Sequence, residues 1–177
     1  MGCQSLQTIN IPSSVKQIGE YVFAYCSNLS KLILPSSIKQ IDGFAFSHCS
    51  SLSEIGFEKP SSLTKLEVNT FEYCKSLPQI EIPASVTRIG NNCFQDCEKL
   101  SNISFETPSK LGFIDVYIIT RSKLLKQIKI PSSLKNFNIS SFITGNLEQV
   151  FVSSSLKKSI ENDLDSSLSF TISFYDE

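Results

Sequence analysis

Residues 6–26 read Leu6-Gln-Thr-Ile-Asn-Ile-Pro12-Ser-Ser-Val15-Lys-Gln-Ile18-Gly-Glu-Tyr-Val-Phe23-Ala-Tyr-Cys26. Residues 29–49 repeat the sentence as Leu29-Ser-Lys-Leu-Ile-Leu-Pro35-Ser-Ser-Ile38-Lys-Gln-Ile41-Asp-Gly-Phe-Ala-Phe46-Ser-His-Cys49. The cysteine recurs as Cys3, Cys26, Cys49, Cys74 and Cys97, at spacings of 23, 23, 25 and 23. The leucine goes further, as Leu6, Leu29, Leu52, Leu77, Leu100, Leu125 and Leu147. A fixed period in this range marks a solenoid, in which each repeat is one unit stacked on the next. Seven rungs are expected. Ser122 replaces the cysteine in the sixth, and the seventh is one residue shorter. The two 25-residue rungs carry a polar pair before their proline, Glu58-Lys59 ahead of Pro60 and Glu106-Thr107 ahead of Pro108. A solenoid accommodates such a pair as a bulge on one face.

Within a rung, Ile9 and Ile11 alternate with Thr8 and Asn10, the period of a short half-buried strand. Proline then ends the pairing, because it has no N–H for a ladder. Two further apolar residues follow three apart: Val15/Ile18, Ile38/Ile41, Leu63/Leu66, Val86/Ile89, Leu111/Ile114 and Leu134/Phe137. Five residues beyond the second of each pair stands Phe23, Phe46, Phe71, Phe94, Ile119 or Phe142. Each rung thus sends about six side chains inward, and stacking buries them as columns. With strands about 4.8 Å apart, seven rungs make a slab roughly 35 Å long.

The pattern Leu-x-x-Ile-x-Ile-Pro-x-x-Val-x-x-Ile-Gly-x-x-x-Phe-x-x-Cys, carried by Leu6 through Cys26, resembles the BspA-like (treponemal-type) leucine-rich repeat. The resemblance covers residues 1 to about 152, with Pro, Phe and Cys all returning in register. It implies a curved, right-handed parallel β-coil with short strands, turns and short helices. It also implies a place in a cell-surface protein, with adhesion to host or matrix proteins. No catalytic residues come with the family. The chain lacks the asparagine ladder of ordinary leucine-rich repeats, Pro12-Ser13 and Pro35-Ser36 taking that bend, and the pattern decays after Leu111.

The net charge is −1 over 177 residues. Nucleic-acid binders show a basic face, so that class is excluded. No run of 18 apolar residues is present to span a bilayer. The first residues lack the basic and apolar regions of a signal peptide. Met1 aligns with Ala24, inside a repeat, so the expectation is a piece of a longer array. The alternative is a short protein whose first rung is covered by a partner or a second copy. Met1-Gly2-Cys3 does not read as a lipidation signal, because Leu6 stands where myristoylation wants Ser or Thr. The compartment is open: cell surface within a longer protein of this type, cytoplasmic otherwise. The sequons at Asn28, Asn102 and Asn138 are what a serine-rich chain supplies by chance, so they decide nothing.

Cysteines stacked at one repeat position point the same way rather than at each other. They are therefore expected to be unpaired core thiols, compact hydrophobes beside the phenylalanines. Cys93 and Cys97 do not make a zinc site, which needs two such pairs or added histidines, and the chain has one histidine. His48 is expected exposed at a turn while Cys49 points inward, so they form no nucleophile pair. No phosphate-binding loop, cofactor motif or catalytic constellation is present, and the reading is not an enzyme.

The candidate ligand face comprises the outward positions of the first strand of each rung. One column runs Thr8, Lys31, Glu54, Gln79, Asn102, Gln127 and Gln149. The other runs Asn10, Ile33, Gly56, Glu81, Ser104, Lys129 and Phe151. Repeat arrays use such an extended surface for binding, although ordinary solvated side chains give the same pattern. Ile33 and Phe151 break an otherwise polar surface. The structural core is expected at Phe23, Phe46, Phe71, Phe94 and Phe142 with Cys26, Cys49, Cys74 and Cys97. The array is expected over 1–152 and a cap over 153–177. In the cap, Leu156, Ile160 and Leu164 suit a short amphipathic helix, and Phe170, Ile172 and Phe174 a closing strand. The expected function is noncatalytic binding of a protein ligand, adhesin-like. The alternative is an intracellular scaffold.

Overall fold

The computed structural model describes residues 2–135, 138, 141–142, 146–160 and 169–176. Its described residues form a parallel β-solenoid with almost no helix. The first strand of successive rungs appears as β2 (Lys31–Leu34), β4 (Glu54–Phe57), β6 (Gln79–Ile82), β8 (Asn102–Phe105), β10 (Gln127–Lys129) and β11 (Gln149–Ser153). A further strand, β12 (Thr171–Tyr175), continues the series. Thr8 joins the same side through a single parallel bridge to Lys31. The alternation read from the sequence appears as exposed-buried-exposed-buried along β2 and β6.

A second sheet was not foreseen. Two-residue strands β1 (Gln17–Ile18), β3 (Gln40–Ile41), β5 (Lys65–Leu66), β7 (Arg88–Ile89) and β9 (Phe113–Ile114) form a continuous five-stranded parallel sheet. Each buries one apolar residue and exposes one polar or aromatic residue. Two residues are too short a run to show a period.

The turns between rungs form the third side, and they too are laddered. Phe23 N–H donates to the Ala45 carbonyl (2.9 Å), Phe46 to Thr70 (3.0 Å), Phe71 to Cys93 (2.9 Å) and Phe94 to Ile118 (2.8 Å). Two residues per turn sit in the left-handed region, with φ between 53° and 61°. They are Tyr21, Phe44, Asn69, Asn92 and Tyr117 in one row, and Tyr25, His48, Tyr73, Asp96 and Arg121 in the other. Non-glycine residues rarely adopt such angles. Recurrence in five successive turns of the described residues shows that the repeat requires them.

Inside, the phenylalanines stack face to face. Ring centroids lie 5.3 Å apart for Phe23–Phe46, 5.4 Å for Phe46–Phe71 and 5.8 Å for Phe71–Phe94. Such pairs contribute about 0.5–1.5 kcal/mol beyond the area they bury. Ile119 continues the column, and Phe142 is buried as well. Beside them the cysteine column does more than fill space. The thiols of Cys49, Cys74 and Cys97 donate to the carbonyls of Phe23, Phe46 and Phe71 at 3.1, 3.3 and 3.2 Å. Ser122 makes the same bond to Phe94 at 2.7 Å. The missing cysteine of the sixth rung is therefore a conservative exchange of one short donor for another.

Two expectations about the first rung need correction. Ile9, expected inward, is 36% exposed, because within this chain its rung has a stacked neighbour on one side only. Cys3 is exposed for the same reason. In the tail, the described helical residues are a 3-10 turn at Ser154–Leu156 and α1 at Lys157–Ile160, burying Leu156 and Ile160. Phe137, Leu164 and the sequon positions 139 and 140 lie outside the described residues. β12 pairs with β11 in parallel register, Val150 opposite Ile172 and Val152 opposite Phe174.

Candidate functional site

The ladders place the sequence-derived face residues side by side: Lys31 pairs with Glu54, Ile33 with Gly56, Gln79 with Asn102, Glu81 with Ser104, Gln127 with Gln149 and Lys129 with Phe151. Thr8, Asn10, Lys31, Glu54, Gln79, Glu81, Asn102, Gln127 and Lys129 are exposed, and Ser104 and Gln149 half-buried. Lys31 Nζ lies 2.7 Å from Glu54 Oε1, an exposed pair that contributes little. Ile33 is 42% exposed and lies over its neighbour: a Cβ at Gly56 would come 2.7 Å from Ile33 Cδ1. The glycine provides the room the isoleucine occupies. Phe151 is half-buried, a cleft wall rather than a free knob.

The face is not one continuous sheet. Among the described residues β2 ladders with β4, β6 with β8, and β10 with β11 and β12, but no ladder joins β4 to β6 or β8 to β10. Both breaks follow a strand that ends in an inserted polar pair. The glutamate of each pair reaches back to the previous rung. Glu58 accepts from Ser36 N–H (3.1 Å) and Glu106 from Ala84 N–H (2.9 Å). The last strand residue before each insertion is a half-buried phenylalanine, Phe57 or Phe105, whereas Leu34, Ile82 and Ile130 at that position are buried.

The breaks differ in what fills them. Over β4, β6 and β8 lies a cleft of about 310 Å³ bordered by Glu81. Lys59 Nζ sits 2.9 Å from Glu81 Oε2 and 2.6 Å from Glu106 Oε1, tying the two insertions together. Hydrogen bonds to Glu106 and Glu81 raise the Lys59 pKa above the ordinary lysine range. The bond from Lys59, then that from Ala84 N–H, lowers that of Glu106. Over β8 and β10 the cleft is about 1020 Å³. Asn102, Ser104, Gln127 and Lys129 bring polar groups to it, and Phe105, Phe151, Pro108, Pro131 and Tyr175 give it apolar walls. The Tyr175 hydroxyl donates to the Ile130 carbonyl at 2.6 Å, and Lys129 Nζ lies 4.2 Å from the Tyr175 ring centre. Sequence reasoning missed Phe105 and Tyr175. The phenylalanine before each insertion was the available signal for the first, and nothing in the repeat announces the second.

The five buried thiols, Cys26, Cys49, Cys74, Cys93 and Cys97, are held in the protonated form. All six cysteines are free, and burial pushes Cys49 up to about 12 and raises Cys26, Cys74, Cys93 and Cys97 as well. Nucleophilic attack and metal ligation need the thiolate. Among the described residues no group of three or more His, Cys, Asp or Glu could hold a metal ion, and no helix is long and apolar enough to cross a membrane. His48 is not the exposed turn residue expected. It is half-buried between Tyr25 and Tyr73, with ring centroids 4.4 Å from each.

Fold and repeat together define a leucine-rich-repeat solenoid. A model of the BspA type leucine rich repeat region matches residues 1–61 and 56–169, with six copies in all. The chain belongs to this family. Among solved structures it is similar to the pneumococcal vaccine antigen PcpA, at 20% identity over 78% of this chain and 50% of that chain, TM-score 0.51. It is also similar to the T. pallidum leucine-rich repeat protein TpLRR, at 22% identity over 94% of this chain and 82% of that one, TM-score 0.62. The chain thus spans half the length of the pneumococcal structure. These likenesses carry the fold. No curated protein matches the chain.

Proposed function

We propose that this chain is a noncatalytic protein-interaction module, an adhesin-like part of a surface protein that binds host or matrix proteins through its first-strand face. In this reading residues 1–152 are the binding array and 153–177 close its last rung. The observation that carries it is the register within each of the three blocks of the face, which sets polar side chains beside one another, with Ile33 and the half-buried Phe151 as apolar interruptions. Membership of a repeat family typical of protein binding supports it. Solenoids present such rows as extended binding surfaces. The near-neutral charge suits modest affinity without strong electrostatic steering. The test is binding to immobilised matrix proteins by the wild type and by an Ile33→Glu/Phe151→Glu variant. Loss in the variant supports the face, and equal binding by the two sinks it.

A further inference from the structure

The two breaks in the strand face are the same device at two stages of completion. Lys59 and Thr107 are the second residues of the two insertions, each preceding its proline, and Glu81 and Lys129 are the third residues of the strands that follow. At the first break the cation comes from the insertion, and two carboxylates of the chain neutralise it. At the second, the insertion position is the short, neutral Thr107, and the cation has moved to the strand as Lys129. Among the described residues Lys129 makes no ion pair, although Asp176 also borders the cleft. Its contact is the face of Tyr175. The cleft around it has roughly three times the volume of the first, with aromatic walls in place of ion-paired side chains.

We propose that the cleft over β8 and β10 receives an extended acidic segment of a protein partner, whose carboxylate pairs with Lys129 while a neighbouring apolar side chain packs on Phe105, Phe151 and Tyr175. The proposal rests on the strand face being the ligand face and names the chemistry that part of it selects. The carboxylate takes the place that Glu81 and Glu106 hold towards Lys59. A volume near 1020 Å³ lies at the upper end of the range for ligand sites, far more than one carboxylate fills. Amide and hydroxyl groups of Gln127, Asn102 and Ser104 are placed to orient a peptide backbone.

The test is selection of a displayed random ten-residue peptide library on the full chain, followed by fluorescence anisotropy with the selected peptides. Enrichment of Asp or Glu at one position is expected, and exchange of that acid for its amide should weaken binding about tenfold. Lys129→Gln should weaken it by a similar factor. Ser104→Glu, which gives Lys129 an acid from the chain itself, should do the same without lowering the unfolding temperature. If Ser104→Glu does not fold, the exposed Lys129→Gln change still decides. No selected peptide, selected peptides without an acid, or equal binding by Lys129→Gln would overturn the proposal. If such acid-independent peptides still lose binding in Phe151→Glu, the strand face stands and only the carboxylate reading falls. If no strand-face substitution affects them, both readings fall.

Discussion

The first-strand side and the turn side of this coil are built from the same repeats, yet one is broken twice and the other runs through. The insertions explain the difference. Glu58-Lys59 and Glu106-Thr107 enter where the first strand leaves for the proline bend, so β4 and β6, and then β8 and β10, are left without a ladder. On the turn side the same rungs keep their hydrogen bonds and their stacked rings through Phe23, Phe46, Phe71 and Phe94. An extra two residues are absorbed where the strand ends, and the packed core does not register them. The regular side holds the fold, which leaves the irregular side free to differ from rung to rung.

Truncating the regular side should have the largest effect. Phe71→Ala, fully buried between two stacked rings, is expected to cost about 3–5 kcal/mol in denaturant unfolding. A cost under 1 kcal/mol would mean the spine is not what unifies the coil. Deleting Glu58-Lys59 makes that rung 23 residues long and should let β4 pair with β6. The amide protons of Gln79–Ile82 should then exchange about tenfold more slowly. Unchanged exchange would show that the insertion is not the cause of the break. Cys97→Ser should be tolerated within about 1 kcal/mol, because Ser122 already serves as a donor at this position, whereas Cys97→Ala forfeits the bond to the Phe71 carbonyl as well as volume. Equal stability of the serine and alanine variants would reduce the column to simple packing.

Smaller still is the electrostatic effect at the first break. Lys59 and the Ala84 N–H lower the Glu106 pKa, so its stabilisation is present above the ordinary carboxylate pKa of about 4.3 and is lost as pH falls through the lower, folded value. The stability gap between wild type and Glu106→Gln should therefore shrink as pH is lowered from 6 to 3 in thermal unfolding. A gap independent of pH would remove Glu106 from the ionic tie. Smallest of all is Lys31→Gln on the exposed ladder, expected to change stability by less than about 0.5 kcal/mol.

The repeat and its core were legible because burial imposes a period. Leucine, phenylalanine and cysteine return in a common register, the leucine every 22 to 25 residues, and Leu29, Phe46 and Cys49 are all buried as that spacing requires. What escaped reading depends on less than a period. The second sheet offers only two residues per rung, of which one is apolar. The left-handed rows carry Tyr, Phe, His, Asn, Asp and Arg, with no glycine to flag them. The candidate face was readable as a list of outward positions, but not as three blocks. The larger cleft also draws a wall from Tyr175, contributed two strands after β10. Phe151 and His48 were placed on the right rungs, yet their neighbours, not their positions, decide how much of each meets solvent.

The turn-side ladder has an electrical consequence. From Phe23 to Phe94 its peptide N–H groups point from an earlier rung to a carbonyl of a later one. Strand dipoles in ordinary sheets largely cancel, whereas this row adds up, with its positive pole toward the last rung. Each further rung lengthens the row and polarises those already in it. The row is in that respect a dipole with a direction, opposed by bonds elsewhere in the coil that run from later rungs to earlier carbonyls, such as Lys39 N–H to Lys16 and Asp42 N–H to Ile18.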